Sequence, residues 1–538
     1  MSIPYHCVPR SSRLLLDYLY DFGRVADFFT ASPFNLAHCQ ALAEQLRSFD
    51  NRRDELARIL VRQNESFGSL PSVFENIARL KQKGTFAVVT GQQVGLFSGP
   101  AFTIYKALTA VRLSQWLSEQ GLPSVPVFWL ATEDHDLEEV AQTAVFDEEY
   151  QLVSLADPGE RPAPRSPVGS VRLTPRVLDA LGRLETALPP GDSRDGVMRD
   201  LHDSYQPGNT WSQAFGRLMA RWFDRWGVIL VDSLDKELHE LNASAYAKAL
   251  EEAPKIRRLL LERNQALVRS GYHAQVHVAD DATLLFLMVD GNRLPLDEID
   301  GEFRLGSDQK LSLAELKARL ADNPSHFSAN VLMRPIVQDL LLPTLAYVAG
   351  PSELAYLGQA EAVYETFGRP MPVVFPRAGF TLIDRKTQRF LEKYRVSVED
   401  VWQGEEQLSR KIAEAGFAEG WSERFNQSEA ELSALLERLQ KDIEALDPTL
   451  LDTLKHAEEK MKYQLERLRA KLSRAALQRS ELLSKHQQAL LRFLSPEKDL
   501  QERRVCGLYF LARAGYELLD RILAQIAVDS SDHQLLLY

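Results

Sequence analysis

Short apolar segments alternate with helical segments along most of this 538-residue chain. The clearest are TFAVV, VPVFWLA, GVILVD and PVVFPRA, which contain few polar residues. A strand that is apolar throughout is buried on both faces, and strands separated by helices usually pair in parallel. The pattern therefore predicts an α/β fold built on a doubly wound parallel sheet.

Two segments interrupt this alternation. Residues 157–208 are rich in Pro, Gly and Asp, and residues 253–324 contain short strands such as TLLFLMV. Loops in α/β units normally span about 2 to 6 residues, so we interpret both segments as insertions in the core. The remaining predicted units are a helical N-terminal cap (1–84) and three parts of the core (85–156, 209–252 and 325–390).

Apolar residues follow heptad spacing late in the chain. Leu432, Leu436, Leu439 and Ile443 alternate spacings of four and three, as in a coiled coil. Pro448 interrupts the run, and Asp447 before it is a good helix N-cap. We predict that residues 391–495 form an antiparallel pair of long helices turning there, the second reaching about Leu494. Residues 496–538 are expected to pack back on the core or this arm.

Composition narrows the classes of function. The net charge of −12 argues against a nucleic-acid partner, because phosphate binding needs clustered Lys and Arg. Cys7, Cys39 and Cys506 are too few and too far apart for a disulfide framework or a CxxC zinc site. A reducing cytoplasm fits this usage. The segment MSIPYHCVPRSSRLLLDYLYDF lacks a charged leader followed by an uninterrupted apolar core, so we expect no export. The chain has no run of about 18 apolar residues, so we expect no membrane insertion.

A glycine-rich turn, TGQQVGLFSGPAFTIYK (residues 90–106), follows the first apolar strand. Such a turn lets backbone amides approach a ligand, and a helix N-terminus favours an anion. The spacing matches neither GxGxxG nor GxxxxGK[ST], so the glycines could equally serve only to shape the corner. Lys106 could bind the ligand or lie on the helix surface. The candidate binding residues are Thr90, Gly91, Gln92, Gln93, Ser98, Gly99 and Lys106.

Ionisable residues crowd the end of the next strand. Glu133, Asp134 and His135 directly follow VPVFWLA, and a parallel sheet places them beside the glycine turn. They could bind a divalent metal, supply a general base through His135, or cap a helix. Capping explains the acids that come next in the chain but not this cluster. We therefore favour a catalytic role for these three residues, and we assign no resident metal ligand.

Other predicted strand ends supply further candidates. Several are also ordinary cap or core residues: Asn209 can cap a helix, and Asp232 can cap the next element of the chain or bind a ribose hydroxyl. Arg377 is a candidate carboxylate clamp, because its planar fork matches that anion. The full set is Gln206, Asn209, Trp211, Asp232, Asn330, Arg334, Gln338, Gly350, Glu353 and Arg377.

These motifs occur together in one known family. The segments TGQQ with GPAFTIYK, EDHD, YQPGNTW, NVLMRPIVQD, YVAGPSELAYLGQ and PVVFPRAGFTLID closely resemble the bacillithiol biosynthesis cysteine-adding enzyme family, BshC. The resemblance implies a Rossmann-like core similar to that of class I aminoacyl-tRNA synthetases, two connecting insertions, and a coiled coil that builds a homodimer. The HIGH and KMSKS motifs of those synthetases are not recognisable in this sequence.

The resemblance also implies a reaction. The family is assigned the joining of L-cysteine to the amine of glucosaminyl-malate, the last step of bacillithiol synthesis. An unactivated carboxylate does not acylate an amine, so we expect ATP with magnesium to form an acyl phosphate or acyl adenylate. His135 would deprotonate the amine, while the glycine turn with Arg334 or Arg377 would hold anions.

Two other classes of function remain open. One is an ATP-dependent synthetase or nucleotidyltransferase acting on a different small acid. The other is a non-enzymatic nucleotide-binding assembly protein whose working surface is the coiled coil. The heptad spacing does not decide whether the arm helices pair within one chain or between two.

Overall fold

The computed structural model describes residues 1–49, 52–306, 309–416, 421–530 and 532–538. Most of its strands belong to two five-stranded sheets. In chain order the strands are β1 (Ser2–Ile3), β2 (Phe86–Gln92), β3 (Ser124–Leu130), β4 (Gln142–Phe146), β5 (Leu152–Ala156), β6 (Ile229–Asp232), β7 (Ala282–Val289), β8 (Asn292–Ile299), β9 (Glu302–Leu305), β10 (Gln309–Leu311), β11 (Phe327–Ala329), β12 (Thr344–Ala349), β13 (Val373–Pro376), β14 (Phe380–Ile383) and β15 (His533–Leu537).

The central sheet is parallel, with strand order β13-β12-β2-β3-β6. Phe86 and Val88 pack into one hydrophobic cluster, whereas Ala87 and Val89 on the same strand pack into another. Successive side chains of a strand point to opposite faces, so both faces of the sheet are covered. The predicted doubly wound α/β fold is confirmed.

Helices cover this sheet and build the rest of the chain. Several begin at side-chain caps, as at Ser12, Thr210 and Ser312, whose hydroxyls accept backbone N–H bonds. In chain order the helices are α1 (Arg13–Tyr20), α2 (Leu36–Leu46), α3 (Arg53–Phe67), α4 (Pro71–Lys81), α5 (Phe102–Glu119), α6 (Leu137–Val140), α7 (Arg176–Ala187), α8 (Asp192–Ser204), α9 (Trp211–Phe223), α10 (Lys236–Glu251), α11 (Ala253–Arg269), α12 (Leu313–Asp322), α13 (Arg334–Leu341), α14 (Pro351–Tyr364), α15 (Arg385–Tyr394), α16 (Val398–Trp402), α17 (Glu405–Gly416), α18 (Trp421–Leu446), α19 (Leu451–Arg479), α20 (Glu481–Leu494), α21 (Gln501–Arg504), α22 (Gly507–Ala514) and α23 (Glu517–Gln525).

The second interrupting segment carries an antiparallel sheet of its own. Its strand order is β10-β9-β8-β7-β11, and β7 and β8 form a hairpin whose turn includes Gly291 at φ +75°. Strand β11 lies beyond the predicted end of this insertion at residue 324, yet it pairs with β7. The first segment, residues 157–208, contains α7 and α8.

The arm consists of α18 and α19, joined by a short turn at Asp447. The Asp447 carboxylate accepts the Thr449 N–H at 3.0 Å, as expected of a cap. Late in α19, Arg469 donates to Asn426, early in α18, at 3.2 Å, so the two helices run antiparallel. The sequence predicts one helix from this turn to about Leu494. Instead, Ser480 leaves helical geometry at φ −120° and ψ 98° and caps a separate helix, α20.

The last forty or so residues pack back on the core. Strand β15 pairs in parallel with β14 and antiparallel with β1, so it joins distant parts of the chain in one sheet. The carbonyl of Val505 accepts the N–H of Ala101, at the start of the helix after the glycine turn, at 2.8 Å. Among the described helices, none combines the length and apolar character needed to span a bilayer.

Candidate active site

A cavity of about 1050 Å³ lies at the carboxyl ends of the parallel strands. Its wall is built from the ends of β2 and β3 and from the segments after β3, β12 and β13. Parallel strands end at the same edge of a sheet, so residues far apart in sequence meet there. The predicted site residues that line it are Gly91, Gln92, Gln93, Gly99, Lys106, Glu133, Asp134, His135, Asn330, Arg334, Gly350, Glu353 and Arg377.

The glycine turn forms one part of the wall. A Cβ atom added to Gly95 would lie 2.9 Å from the Cα atom of Gly99, and neither backbone has room to yield. Phe97, Ser98 and Gly99 all have positive φ, which is rare for residues other than glycine. The glycines are therefore required by the tight corner itself, and they leave its backbone facing the cavity.

Lys106 lies beneath this turn and not on the helix surface. Its Nζ atom donates to the carbonyl of Gly91 at 2.7 Å and to Oε1 of Gln92 at 3.0 Å, and it forms an ion pair with Glu353. Although burial acts to raise it, the pKa of Glu353 is held below its usual value by Lys106. The lysine therefore joins the end of β2 to the start of α14.

His135 lies between two guanidinium groups. Its Nε2 atom is 3.0 Å from Arg165 and its Nδ1 atom is 3.2 Å from Arg293. Burial and the positive charges of Arg293 and Arg165 lower the pKa of His135. The ring is therefore neutral near pH 7, and since a neutral imidazole has one acceptor nitrogen, it accepts from only one of the arginines.

Glu133 is the most enclosed acid of the cluster. Its Oε1 atom lies 3.3 Å from Nε2 of His239 and accepts no hydrogen bond from any described residue. Burial raises the pKa of Glu133, although His239 and Arg293 act in the opposite direction. A cavity-lining carboxylate with a raised pKa is well suited to accept a proton.

Asp134 and Glu139 converge on one amide. The Nε2 atom of Gln93 donates to Asp134 at 2.6 Å and to Glu139 at 3.0 Å, so the two carboxylates approach each other at the cavity wall. Across the described ranges, no group of three or more His, Cys, Asp or Glu residues is arranged to hold a metal ion.

Comparison with protein families covers almost the whole chain. The model described as "Bacillithiol biosynthesis BshC, N-terminal Rossmann-like domain" matches residues 1–378. The model described as "Bacillithiol biosynthesis BshC, C-terminal coiled-coil domain" matches residues 380–538. The chain belongs to the BshC family. The predicted Rossmann-like core and coiled-coil arm are thus both family features.

Curated BshC relatives match at nearly full length. Each is named "Putative cysteine ligase BshC". The relative from Koribacter versatilis is 38% identical over 97% of this chain and 96% of its own length. The relative from Solibacter usitatus is 36% identical over 98% of both chains. The relative from Salinibacter ruber is 35% identical over 97% of this chain and 95% of its own length.

The remaining predicted site residues lie outside the cavity wall of this BshC chain. They are Thr90, Ser98, Gln206, Asn209, Trp211, Asp232 and Gln338. Thr90 donates to the carbonyl of Val348 at 2.9 Å, inside the sheet. Asp232 accepts from Thr132 at 2.5 Å and from Ser212, so its carboxylate joins the end of β6 to the segment after β3 and to the start of α9. Gln206 is exposed and donates to the backbone carbonyl of His202, near the end of α8.

Arg377 lines the cavity but already has a carboxylate partner. Its guanidinium is buried and forms a two-pronged ion pair with Glu502, with one contact at 3.0 Å. The sequence predicts a clamp for a ligand carboxylate at Arg377. In the structure, the carboxylate that Arg377 binds is that of Glu502, and this pair holds the C-terminal segment against the core.

Sequence reasoning missed several groups of the cavity wall, namely Arg293, Tyr347, Tyr356, Asp499, Arg503 and Arg504. The adjacent arginines of the segment LQERRVC were a visible basic signal. Arg293 had no such signal, because it follows the turn of a hairpin in the second insertion. Only the tertiary fold brings it to His135.

Proposed function

We propose that this chain is a ligase that joins the carboxyl group of L-cysteine to the amine of glucosaminyl-malate, forming an amide in the last step of bacillithiol synthesis. The observation that carries the proposal is the cavity at the carboxyl ends of the parallel strands, in a chain that belongs to BshC throughout its length. Ligands of open α/β sheets bind at this edge. The name of the curated relatives, "Putative cysteine ligase BshC", supports cysteine as one of the substrates.

The wall suits two small substrates and an anionic cosubstrate. The volume of the cavity is at the upper end of the range of pockets that bind drug-sized ligands, about 300 to 1000 Å³. Arg503 lines it as an exposed cation, and no ion-pair partner for it occurs in the part of the chain that the structure describes. ATP, bound with magnesium, supplies the group that activates the cysteine carboxylate.

Asp134 and Glu139 would hold the magnesium. Magnesium in nucleotide sites is usually bound through one or two protein carboxylates together with the phosphates, so a complete protein cage is not needed. The two carboxylates already approach each other at Gln93. This arrangement supports a cation that arrives with its nucleotide.

The amine of the acceptor must lose a proton before it can attack. Glu133 is better placed than His135 to accept that proton, because its carboxylate lines the cavity and has a raised pKa, whereas both nitrogens of His135 face guanidinium groups. The raised pKa of Glu133 brings its basicity closer to neutral pH, where a general base is most effective. His135 then serves to position Arg293.

We propose that the protein acts as a homodimer, in the cytoplasm and without nucleic acid, and exposed leucines of the arm support the dimer. Several leucines stay exposed after α18 and α19 have packed together, including Leu439 at 42% and Leu468 at 51%. Sedimentation of the full chain carrying Leu439→Glu and Leu468→Glu should show monomers. Leu178→Glu, at an exposed leucine on α7, is the control and should leave the dimer intact.

Reconstitution tests the proposed reaction. The purified protein is incubated with L-cysteine, glucosaminyl-malate, ATP and magnesium, each left out in turn, and bacillithiol is detected by mass spectrometry. Product should require the protein, both substrates and ATP. Product from other amines or acids but not from this pair would favour a different synthetase. ATP turnover without any acylated product, or no turnover by folded protein, would contradict the ligase.

A further inference from the structure

Arg293 is a buried cation in the cavity wall whose partners are all neutral. It is 6% exposed, and it donates from Nε to Ser328 at 2.9 Å and from NH2 to the carbonyl of Ala329 at 2.7 Å. Its NH1 atom faces His135, and its guanidinium stacks 3.7 Å above the ring of Phe286. Among the described residues, no carboxylate lies within ion-pair distance of it.

Arg334, which is partly exposed, also has only neutral hydrogen-bond partners in the same wall. It donates to Gln338 at 2.9 Å, to the hydroxyl of Tyr356 at 2.9 Å and to that of Tyr347 at 3.3 Å. Glu353 approaches Arg334 through these two tyrosines, because the hydroxyl of Tyr347 donates to it at 2.9 Å and that of Tyr356 at 3.5 Å. Within the described ranges Arg334, too, has no direct carboxylate partner.

An amide lies in the wall with these two cations. The Oδ1 atom of Asn330 accepts the backbone N–H groups of Leu332 and Met333, both at 3.0 Å. This fixes the side chain at the start of α13 and leaves its Nδ2 atom as the donor for a ligand. Three groups of donor character thus belong to one surface of the cavity: Arg293, Asn330 and Arg334.

Arginines without a carboxylate partner in a cavity wall indicate a site for an anionic ligand. A buried charge without a counter-charge is strongly disfavoured, and buried arginines are ordinarily paired. Arg377, which is buried in the same cavity wall, follows this rule through Glu502, whereas Arg293 and Arg334 do not. A guanidinium fork matches a carboxylate in size and planarity. Two forks together suit a dicarboxylate.

We propose that Arg293 and Arg334, with the amide of Asn330, bind the two carboxylates of the malyl group of glucosaminyl-malate. This inference rests on the proposed function for the identity of the ligand. Arg293 faces His135, two positions after Glu133 in the chain, so an acceptor held by this guanidinium lies near the proposed base. The second insertion thereby contributes acceptor specificity to a site whose other walls come from the parallel sheet.

Titration calorimetry without cysteine or ATP tests this subsite. Wild-type protein should bind glucosaminyl-malate more tightly than its dimethyl ester, in which both carboxylates are neutralised. Arg293→Gln should weaken binding of the diacid about 10- to 100-fold, as expected for loss of a charged hydrogen bond. The same substitution should change binding of the ester little. Arg293→Lys, which keeps the charge but loses the fork, should give an intermediate loss.

The matched control is Arg304→Gln. Arg304 belongs to β9 of the same inserted sheet and does not line the cavity, so its loss should leave both affinities unchanged. Circular dichroism establishes that each variant is folded.

Unchanged affinity of folded Arg293→Gln and Arg293→Lys for the diacid would overturn the subsite. So would equal losses for diacid and ester, or a loss confined to ATP with magnesium, which would identify a phosphate site. Because binding is measured without turnover, an Arg293-dependent preference for the diacid would support the subsite even if no bacillithiol is made. In that case only the ligase proposal would fail.

Discussion

The backbone N–H of Arg293 donates a hydrogen bond to the carbonyl oxygen of Arg165 at 3.0 Å. A second bond runs from the N–H of Arg165 to the side chain of Asn292, also at 3.0 Å. The two segments that interrupt the parallel sheet are therefore joined to each other, and each places one guanidinium against His135. The charge around this histidine depends on both insertions at once.

Replacing Arg165 with glutamine is expected to raise the pKa of His135. The guanidinium lies 3.0 Å from Nε2, and removing its positive charge makes the protonated ring less unfavourable. The titration can be followed by NMR of protein labelled at the histidine rings. Arg161→Gln is the control, because Arg161 lies in the same segment and donates to a backbone carbonyl instead. A midpoint for His135 that stays fixed or falls in Arg165→Gln would contradict this electrostatic coupling.

Replacing Glu133 with glutamine should lower kcat for amide formation by about 100- to 10,000-fold, the usual contribution of a general base. The wild-type rate should rise with pH through the raised pKa of Glu133, because only its ionised form accepts a proton. This limb should vanish in the variant. Glu138→Gln, at an exposed acid of α6, should keep both rate and profile. A wild-type profile in Glu133→Gln would show that another group is the base.

Adding a methyl group to Gly95 should destabilise the fold and impair ligand binding. The new Cβ would meet the backbone of Gly99, and overpacking of this kind costs about 1 to 3 kcal/mol. Gly182→Ala should have the opposite effect, because Gly182 is inside α7 with open space around it. This substitution should stabilise the fold by about 0.5 to 1 kcal/mol. Urea denaturation compares the two. Equal effects would mean that the glycine turn is not sterically tight.

Breaking the Arg377–Glu502 pair should destabilise the protein more than removing both residues. Arg377→Met leaves a buried carboxylate alone, at a cost of about 3 to 5 kcal/mol, whereas Arg377→Met with Glu502→Leu should recover most of it. Lys485→Met, in an exposed pair on α20, should leave the urea midpoint unchanged. A double variant as unstable as the single one would show that the charge itself is not the cause.

The same pair also contributes to pH dependence. Although burial acts to raise it, the pKa of Glu502 is held below its ordinary value of 4.5 by Arg377. Its contribution to stability is therefore complete above pH 4.5 and is lost as the pH falls below that value. The acid limb of the stability curve should be weaker in the double variant.

The sheet and its polar edge could be predicted because their signals are local. TFAVV and VPVFWLA are apolar on both faces of the sheet. Gln92 is the last residue of the first of these strands, Glu133 follows the end of the second, and both line the cavity. The direction of a parallel strand is enough to place such residues at one edge of the sheet.

The rest of the site depends on contacts that no local pattern encodes. Arg377 and Glu502 are separated by 125 positions, and Arg293 and His135 by 158. The pattern also left open whether Lys106 lies on the helix surface, because its acceptors, such as Glu353, come from elsewhere in the fold. These distant partners determine which arginine or lysine is already paired with a carboxylate and which can bind a ligand.

The sheet that joins β1, β15 and β14 implies an order of folding while the chain is translated. Residues 2–3 must wait for residues 533–537 before they find their partner, while the parallel sheet can assemble from segments translated much earlier. Two residues of the same late region are also needed at the site: Arg503 lines the cavity, and Glu502 is the partner of Arg377. A nascent chain therefore carries an open, unfinished pocket until residues 502–503 and 533–537 have been translated, and a ribosome that stalls before this region leaves an enzyme without a closed site.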